Sequence, residues 1–347
     1  MTAQVPVIDR DELARRVLSA STASADAVSV DDLTELTGGH SGHTFAASLA
    51  YRDGVLRQVV LKVATPGVPP VRNRDVLRQA RLLRALAPVP DVRVPRVLFD
   101  DQGVPPAVPP LFAMDFVAGD SYEPTTDPPR DLPATAVAGR FTAAARMLAA
   151  MQAVPPAALG LDDEPPGSLQ AEVDRWERAL DTVEEALRPR HSECAAVLRA
   201  RQPEELPPVV VHGDWRLGNM LAVDGDIAAV IDWEIWSVGD PRLDLAWFLS
   251  MSRVKGNALA FYDPPGLPST ETVLAAYEQA RGGNVPDLVW FDALVLFKSA
   301  ATLSLIVKHN RRRSSPDPSR ERYAAQIPGL IESALALLGA GHTGCEP

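Results

Sequence analysis

Cysteine is scarce in this sequence, which contains only Cys194 and Cys345. Two cysteines so far apart provide neither a disulfide framework nor the ligand spacing of a metal site. This usage is typical of proteins in a reducing compartment, and we expect a cytoplasmic protein.

Positive charge is also in short supply. The chain has 34 lysines and arginines against 45 aspartates and glutamates, so its formal net charge is −11. Such a balance argues against a broad electrostatic footprint for nucleic acid. The basic run at 311–313 is typical of a solvated helix end rather than a phosphate site. We therefore expect no nucleic-acid partner.

Long uninterrupted apolar segments are missing as well. Residues 1–20 lack the apolar core of a signal peptide and predict a short amphipathic helix opened by Asp9. The most apolar later run, 293–307, is interrupted by Lys298 and is too short to span a bilayer. We expect no membrane association, and the sequence leaves open a monomer or a homodimer.

Proline-rich segments divide the chain, because proline lacks the amide donor that helices and central strands need. Between the early loops the pattern predicts, in order, strands at 44–51 and 57–64, a helix at about 73–86, and strands near 94–99 and at 111–117. Asp53-Gly54 predicts a hairpin between the first two strands. From about residue 135 most segments have helical spacing. The predicted fold class is α+β, with a small antiparallel sheet and a larger, mainly helical part.

The segment VVVHGDWRLGNMLAVDGDIAAVIDWE places polar residues at the ends of two predicted strands, 209–212 and 227–231. If these strands pair, Asp214, Asn219 and Asp232 converge. Two carboxylates and an amide oxygen suit Mg²⁺, and phosphoryl transfer needs an aspartate for the attacking hydroxyl and ligands for Mg²⁺. The alternative is that Asp214 and Asn219 only satisfy a turn, as Asx residues often do.

The pattern HGDWRLGN followed by IDWE resembles the catalytic loop and metal loop of the aminoglycoside phosphotransferase and choline kinase family. The later segment GDPRLDLAWFL is also typical of that family, and the resemblance covers about residues 30 to 310. It implies that Asp214 is the catalytic base and that Asn219 and Asp232 bind Mg²⁺. It also implies ATP or GTP as co-substrate and a hydroxyl of a small molecule as phosphate acceptor.

The same resemblance implies a protein-kinase-like fold of two lobes. We expect an N-terminal helical extension at 1–26, a nucleotide-binding β-rich lobe at 27–117, and a helical lobe at 118–347 that carries the catalytic loop, the metal loop and the substrate site.

Four further residues are expected to support the predicted catalytic and metal-binding residues. The resemblance implies that His212 is structural and that Asp244 turns back to hold the catalytic loop. Arg216 is expected near phosphate or substrate. For Glu234, contact with a second Mg²⁺ and simple exposure to solvent both stay open.

The predicted nucleotide-binding site depends on Lys62, the only lysine before residue 255. It lies in an apolar strand and is expected to reach the α- and β-phosphates. The alternative is an edge-strand lysine that points to water. A loop over the phosphates is expected at 38–45, with Ser41 and Gly42, because backbone amides of a glycine-rich turn bind anions.

The segment 112–119 resembles the connector between the lobes of the family. The resemblance implies that backbone groups of Asp115, Phe116 and Val117 meet adenine and that Met114 lies behind it. The alternative is an ordinary buried strand, which also explains the apolar residues.

One departure from the family concerns the partner of Lys62. Kinases of this fold pair the lysine with a glutamate on the small-lobe helix, where this sequence has Gln79, with Asp75 one turn earlier. Gln79 can accept a hydrogen bond but brings no charge, so it orients the lysine less firmly. This departure supports the alternative function, a nucleotide- or ligand-binding pseudokinase without phosphotransfer.

The acceptor site is expected among the helices after residue 260, where Tyr277 and Trp290 are candidate substrate contacts. Core packing at helical spacing is the alternative explanation for these aromatic residues. Acidic and aromatic residues are mixed there, so the sequence does not distinguish a polycationic aminoglycoside from a less polar alcohol.

Overall fold

A computed structural model describes residues 8–25, 27–36, 42–255, 257 and 259–340. The strands are, in chain order, β1 (Ala27–Leu36), β2 (Gly42–Tyr51), β3 (Leu56–Ala64), β4 (Val97–Asp101), β5 (Leu111–Asp115), β6 (Val209–Val211), β7 (Met220–Val223), β8 (Asp226–Val230) and β9 (Ser237–Gly239). The helices are α1 (Arg10–Ala25), α2 (Val76–Leu86), α3 (Ala134–Gln152), α4 (Leu169–Asp181), α5 (His191–Ala200), α6 (Arg242–Met251), α7 (Thr270–Arg281), α8 (Leu288–Arg311), α9 (Pro318–Glu321) and α10 (Ile327–Ala340). The predicted α+β class is confirmed.

The chain forms two compact units. The first comprises Met1–Ser121 and Gly218–Trp236, and the second comprises Tyr122–Leu217 and Ser237–Pro347. The predicted domains assigned residues 218–236 to the helical part, whereas the β7–β8 hairpin in this segment belongs to the first unit.

A five-stranded antiparallel sheet, in the order β1-β2-β3-β5-β4, forms the centre of the first unit. The predicted hairpin between β2 and β3 is confirmed, with Gly54 in the left-handed region at φ 81°. Helix α1 packs its buried Leu13 and Val17 with Phe45 of the sheet, as expected for an amphipathic helix. The predicted opening of α1 by Asp9 is confirmed, because its carboxylate accepts the amide hydrogen of Asp11 at 3.0 Å.

Strand 209–212 does not pair with strand 227–231, the condition on which the expected convergence of Asp214, Asn219 and Asp232 was based. In the structure β6 pairs with β9, and β8 pairs with β7, a strand that the sequence analysis missed. Asp224-Gly225 joins β7 to β8 through a two-residue turn, with Asp224 at φ 52°. A short loop costs little closure entropy, so the local hairpin is favoured over a pairing across 14 residues or so of chain.

The second unit is mainly helical, as predicted, and α8 contributes many of its buried apolar residues. This helix, Leu288–Arg311, is long and apolar enough to cross a membrane, but 67% of its most apolar stretch is buried inside the protein. Buried Phe297, Ala300 and Leu303 of α8 belong to the same apolar cluster as Ile331 of α10. This burial is typical of the core helix of a globular protein.

Candidate active site

The Asp214 loop follows β6 in the second unit. One carboxylate oxygen of Asp214 accepts a hydrogen bond from the indole nitrogen of Trp247 at 2.8 Å. The other oxygen accepts from Nε of Arg216 at 3.1 Å. The side chain of Asp214 remains 28% exposed, so the carboxylate is oriented from two sides and still accessible.

Asp244 on α6 holds the chain just before Asp214. Its buried carboxylate accepts the amide hydrogens of His212 at 2.6 Å and of Gly213 at 2.8 Å. The ring of His212 is fully buried, and its Nδ1 lies 3.2 Å from the amide nitrogen of Asp214. Because an amide can only donate, Nδ1 is the acceptor in this bond. These contacts agree with the supporting roles expected of Asp244 and His212.

The carboxyl groups of Asp214 and Asp244 have opposite electrostatic environments. Burial by itself raises the pKa of Asp214, but the charges of Arg216 and Lys298 outweigh burial and hold the pKa below its ordinary value. Burial raises the pKa of Asp244, against the opposing effect of the two amides that it accepts. Asp214 is therefore the carboxylate that stays ionised and faces outward.

Lys62 and Asp232 form an ion pair within the first unit. The ammonium of Lys62 lies 3.8 Å from Oδ1 of Asp232, and its side chain is only 17% exposed. Strand β3 lies between β2 and β5, so Lys62 is not an edge-strand residue. The alternative of a lysine that points to water is therefore wrong. The pair lines a narrow cavity together with Gln79, Leu83, Pro95, Phe112, Met114, Ile231 and Trp233.

The amide of Ile231, the residue before Asp232, donates to the backbone oxygen of Asn219 at 2.9 Å. Asp232 adopts a left-handed conformation, with φ 64° and ψ 53°, which is uncommon outside glycine and often marks functional sites. Glu234 follows on a short 3₁₀ turn and is half-buried.

An amide oxygen and a carboxylate fit Mg²⁺, which usually takes one or two protein ligands plus water and phosphates. Across the described ranges, no group of three or more His, Cys, Asp or Glu residues could hold a metal ion. Asp214 belongs to the second unit, whereas Asn219 and Asp232 belong to the first. The convergence of all three stays a prediction.

The predicted phosphate loop is described only in part, because Ser41 lies outside the described residues. Gly42 begins β2, and a Cβ atom there would lie 2.8 Å from the backbone oxygen of Val63, too close for any other residue. On α2, Gln79 is 4% exposed and lines the cavity with Lys62. Asp75 is the N-cap of helix α2, and its carboxylate accepts the amide hydrogens of Leu77 and Arg78.

The predicted adenine contacts follow the end of β5. The amide of Asp115 donates to the backbone oxygen of Arg96 at 3.0 Å, and the amide of Phe116 donates to the backbone oxygen of Gln58 at 3.3 Å. These two amide donors are therefore already used within the protein. Met114 is 7% exposed and lines the cavity, whereas Val117 is half-buried. The strand ends at Asp115 rather than at residue 117.

The two aromatic residues predicted to contact substrate are core residues. Tyr277 is 1% exposed, and its hydroxyl donates to the side-chain oxygen of Gln152 at 2.6 Å. Trp290 is 5% exposed, donates to the backbone oxygen of Leu198 at 3.0 Å, and packs edge-on against Phe291. These positions correct the earlier expectation in favour of the core-packing alternative, because both polar atoms are satisfied inside the protein.

Sequence reasoning missed two residues that touch this loop. Trp247 donates to Asp214, and the ammonium of Lys298 donates to the backbone oxygen of Gly213 at 2.9 Å. The sequence carried one signal for Lys298, which interrupts the most apolar run of the chain. Trp247 lies within the family-like segment GDPRLDLAWFL, but no signal in that segment distinguished it from the other apolar residues of α6.

Comparison with known proteins identifies a matching family. The model of a phosphotransferase enzyme family matches residues 32–291. A crystal structure of a candidate aminoglycoside phosphotransferase from Ralstonia eutropha JMP134 is similar, with a TM-score of 0.74 and 23% sequence identity, over 96% of this chain and 98% of that chain. The GDP and kanamycin complex of a 2″-aminoglycoside phosphotransferase has a TM-score of 0.62 and 16% identity, over 92% and 98% of the two chains. These likenesses establish the kinase-like fold.

Curated relatives are longer proteins. Acyl-CoA dehydrogenase family member 11 of Gallus gallus is 27% identical over 185 residues, which are 50% of this chain and 24% of that protein. Acyl-CoA dehydrogenase family member 10 of Mus musculus is 27% identical over 246 residues, or 68% of this chain and 21% of that protein. The chain thus matches less than a quarter of the length of each relative.

Proposed function

Since the chain belongs to the phosphotransferase enzyme family, we propose that it is an O-phosphotransferase that moves the γ-phosphoryl group of ATP or GTP to a hydroxyl of a small molecule. One observation carries this proposal. An accessible, ionised Asp214 is held by Trp247 and Arg216 on a loop that Asp244 fixes from behind. A carboxylate oriented in this way can accept the proton of an attacking hydroxyl.

The residues of the first unit supply the nucleotide site in this proposal. Asn219 and Asp232 would hold Mg²⁺, which neutralises phosphate charge when it is bound. Lys62 is partly buried beside Asp232 and would exchange part of this contact for the nucleotide phosphates. Arg216, whose Nε lies 3.1 Å from the carboxylate of Asp214, would offer a positive charge to the transferred group.

For the phosphate acceptor we propose only that it is an alcohol. One structural relative is a complex with kanamycin, and the net charge of −11 is compatible with a cationic acceptor. With Tyr277 and Trp290 in the core, these two aromatic rings no longer argue for an apolar acceptor.

Thermal unfolding tests the nucleotide site before any acceptor is known. A ligand that binds only the folded state stabilises it by RT ln(1 + [L]/Kd), so millimolar MgATP or MgGTP should raise the Tm of the wild type. The rise should be lost in Asp232→Ala and kept in Asp226→Ala, a control in which an exposed aspartate of the same hairpin is removed. No rise with either nucleotide would contradict the proposal.

Phosphotransfer itself is tested by release of ADP or GDP in a panel of hydroxyl compounds that includes aminoglycosides. Asp214→Asn keeps the shape of the side chain but not its basicity, so turnover should fall by about 10²- to 10⁴-fold while the nucleotide-dependent rise in Tm persists.

A pseudokinase is the second candidate, and one observation favours it. The small-lobe helix has no acidic partner for Lys62, because Gln79 occupies the cavity and Asp75 caps the helix. If nucleotide raises the Tm but no hydroxyl compound in the panel stimulates release of ADP or GDP, this alternative replaces the phosphotransferase.

A further inference from the structure

Lys298 is a basic residue in the middle of an apolar helix. Its neighbours on α8 include the buried Phe297 and Ser299, and the ammonium donates to the backbone oxygen of Gly213 at 2.9 Å. The same ammonium lies 4.1 Å from the centre of the Trp247 ring and 5.8 Å from that of Trp176. A cation in an apolar core is costly unless it is paired, so these contacts are the compensation for placing it there.

Three other elements of the fold place charged residues around Lys298. Burial lowers the pKa of Lys298, and the opposing charges come chiefly from the Asp214 loop, from α4 and from α6. The charged residues that face it are Asp214, Glu172, Asp244 and Arg175. Three of these four are acids and oppose the effect of burial, and Asp214 is the one acid among them that lies at the proposed reaction site.

Two separate contacts lead from Lys298 to Asp214. The first runs through the backbone, since Gly213 immediately precedes Asp214 and stands at φ 87°, where other residues are strained. The second runs through Trp247, whose indole N–H donates to Asp214 while its ring face meets the ammonium. A cation over the ring draws electron density from the indole and makes its N–H a better donor.

We propose that Lys298 is a positioning residue for phosphoryl transfer, which fixes Asp214 through the carbonyl of Gly213 and the indole of Trp247. The proposal rests on the function proposed above. Lys298 touches neither the nucleotide nor the acceptor in this role. It sets the position of the carboxylate and lowers the pKa of that carboxylate through its charge.

The kinetic test compares Lys298→Met, Lys298→Arg and Trp247→Phe. Misplacement of a reacting group by about 1 Å can cost about 100-fold in rate, so Lys298→Met should lower kcat by about 10- to 100-fold with little change in the KM for nucleotide. Lys298→Arg keeps the cation and should recover part of kcat. The double variant Lys298→Met/Trp247→Phe should lose less than the product of the two single losses, because both act on Asp214.

A second readout does not depend on turnover. In protein labelled with ¹⁵N-tryptophan, the indole signal that disappears in Trp247→Phe should titrate with the carboxyl of Asp214, and the titration should be absent in Asp214→Asn. Lys298→Met removes a nearby positive charge, so the midpoint should move to higher pH. A merely structural role would lower stability and leave this midpoint in place.

The kinetic and NMR measurements distinguish a failure of the role of Lys298 from a failure of the proposed function. A moved midpoint in a protein without phosphotransfer would support the role of Lys298 in orienting Asp214 and reject the proposed function. An unmoved midpoint in Lys298→Met would overturn the role of Lys298 whatever the turnover. If Lys298→Met does not fold, Lys298→Gln, which keeps a donor for Gly213 without the charge, takes its place under the same criteria.

Discussion

The carboxylate of Asp244 accepts the backbone amide of His212 at 2.6 Å, and this buried contact fixes the chain two residues before Asp214. The second oxygen of the same carboxylate accepts the amide of Gly213 at 2.8 Å. Asp244 itself is fully buried on α6. The loop that carries the proposed proton acceptor is thus anchored to a helix by backbone contacts, which do not depend on the side chains of the loop.

Removal of this anchor should destabilise the protein and impair turnover together. Asp244→Ala leaves two amides without their acceptor, and each buried unsatisfied group costs about 1–3 kcal/mol, so the free energy of unfolding should fall by about 2–6 kcal/mol. Urea denaturation measures this change. In Asp244→Asn one acceptor oxygen is kept, so the loss should be smaller. A loss below about 1 kcal/mol in Asp244→Ala would contradict the anchoring role.

The pH dependence of stability should reveal the lowered pKa of Asp214. Because the pKa is lower in the folded protein than in the unfolded chain, the ionised group stabilises the fold above the unfolded value, about 3.9. This contribution is lost as the pH falls through the folded value. The difference in unfolding free energy between wild type and Asp214→Asn should therefore be constant from about pH 5 to 7 and shrink below about pH 4.

Urea denaturation of both proteins at a series of pH values measures that difference. A difference that grows toward acid pH would mean that the pKa of Asp214 is raised rather than lowered.

Tyr277 should behave as a core residue and not as a substrate contact. Tyr277→Phe leaves the buried oxygen of Gln152 without its donor, so the free energy of unfolding should fall by about 1–3 kcal/mol. The KM for the acceptor should stay unchanged once an acceptor is found. The same chemical change in β2, Tyr51→Phe, should cost less. A raised KM with unchanged stability would restore the substrate role.

Cys194 should be inert in the folded protein. Burial raises the pKa of its thiol to about 12, so the reactive thiolate is nearly absent at pH 8. In a Cys345→Ser variant, where Cys194 is the remaining thiol, a disulfide reagent should label the protein slowly in native buffer and to one equivalent in urea. Rapid labelling under native conditions would show that α5 opens readily.

The sequence predicted the parts of the site that depend on local pattern. The Asp53-Gly54 turn predicted the β2–β3 hairpin, whereas Lys62 lies on an inner strand because β3 also pairs with β5. The same kind of signal at Asp224-Gly225 was overlooked, which led to the wrong partner for β8. A hairpin is specified by its turn residues and the strands next to them, so this turn would also have predicted β7.

Contacts between helices could not be predicted in the same way. The burial of Trp290 and the approach of Lys298 to Trp247 depend on how α8 packs against other elements of the helical unit. Helical spacing gives the face on which an aromatic residue lies but not what covers that face. The choice between core packing and substrate contact therefore needed the structure.

The ion pair between Lys62 and Asp232 has an electrostatic consequence for the cavity that the two residues line. Lys62 is a built-in counterion, so the carboxylate is balanced by the protein's own charge and does not depend on a dissolved cation. A cation that binds Asp232 would therefore have to displace Lys62 or share the carboxylate with it.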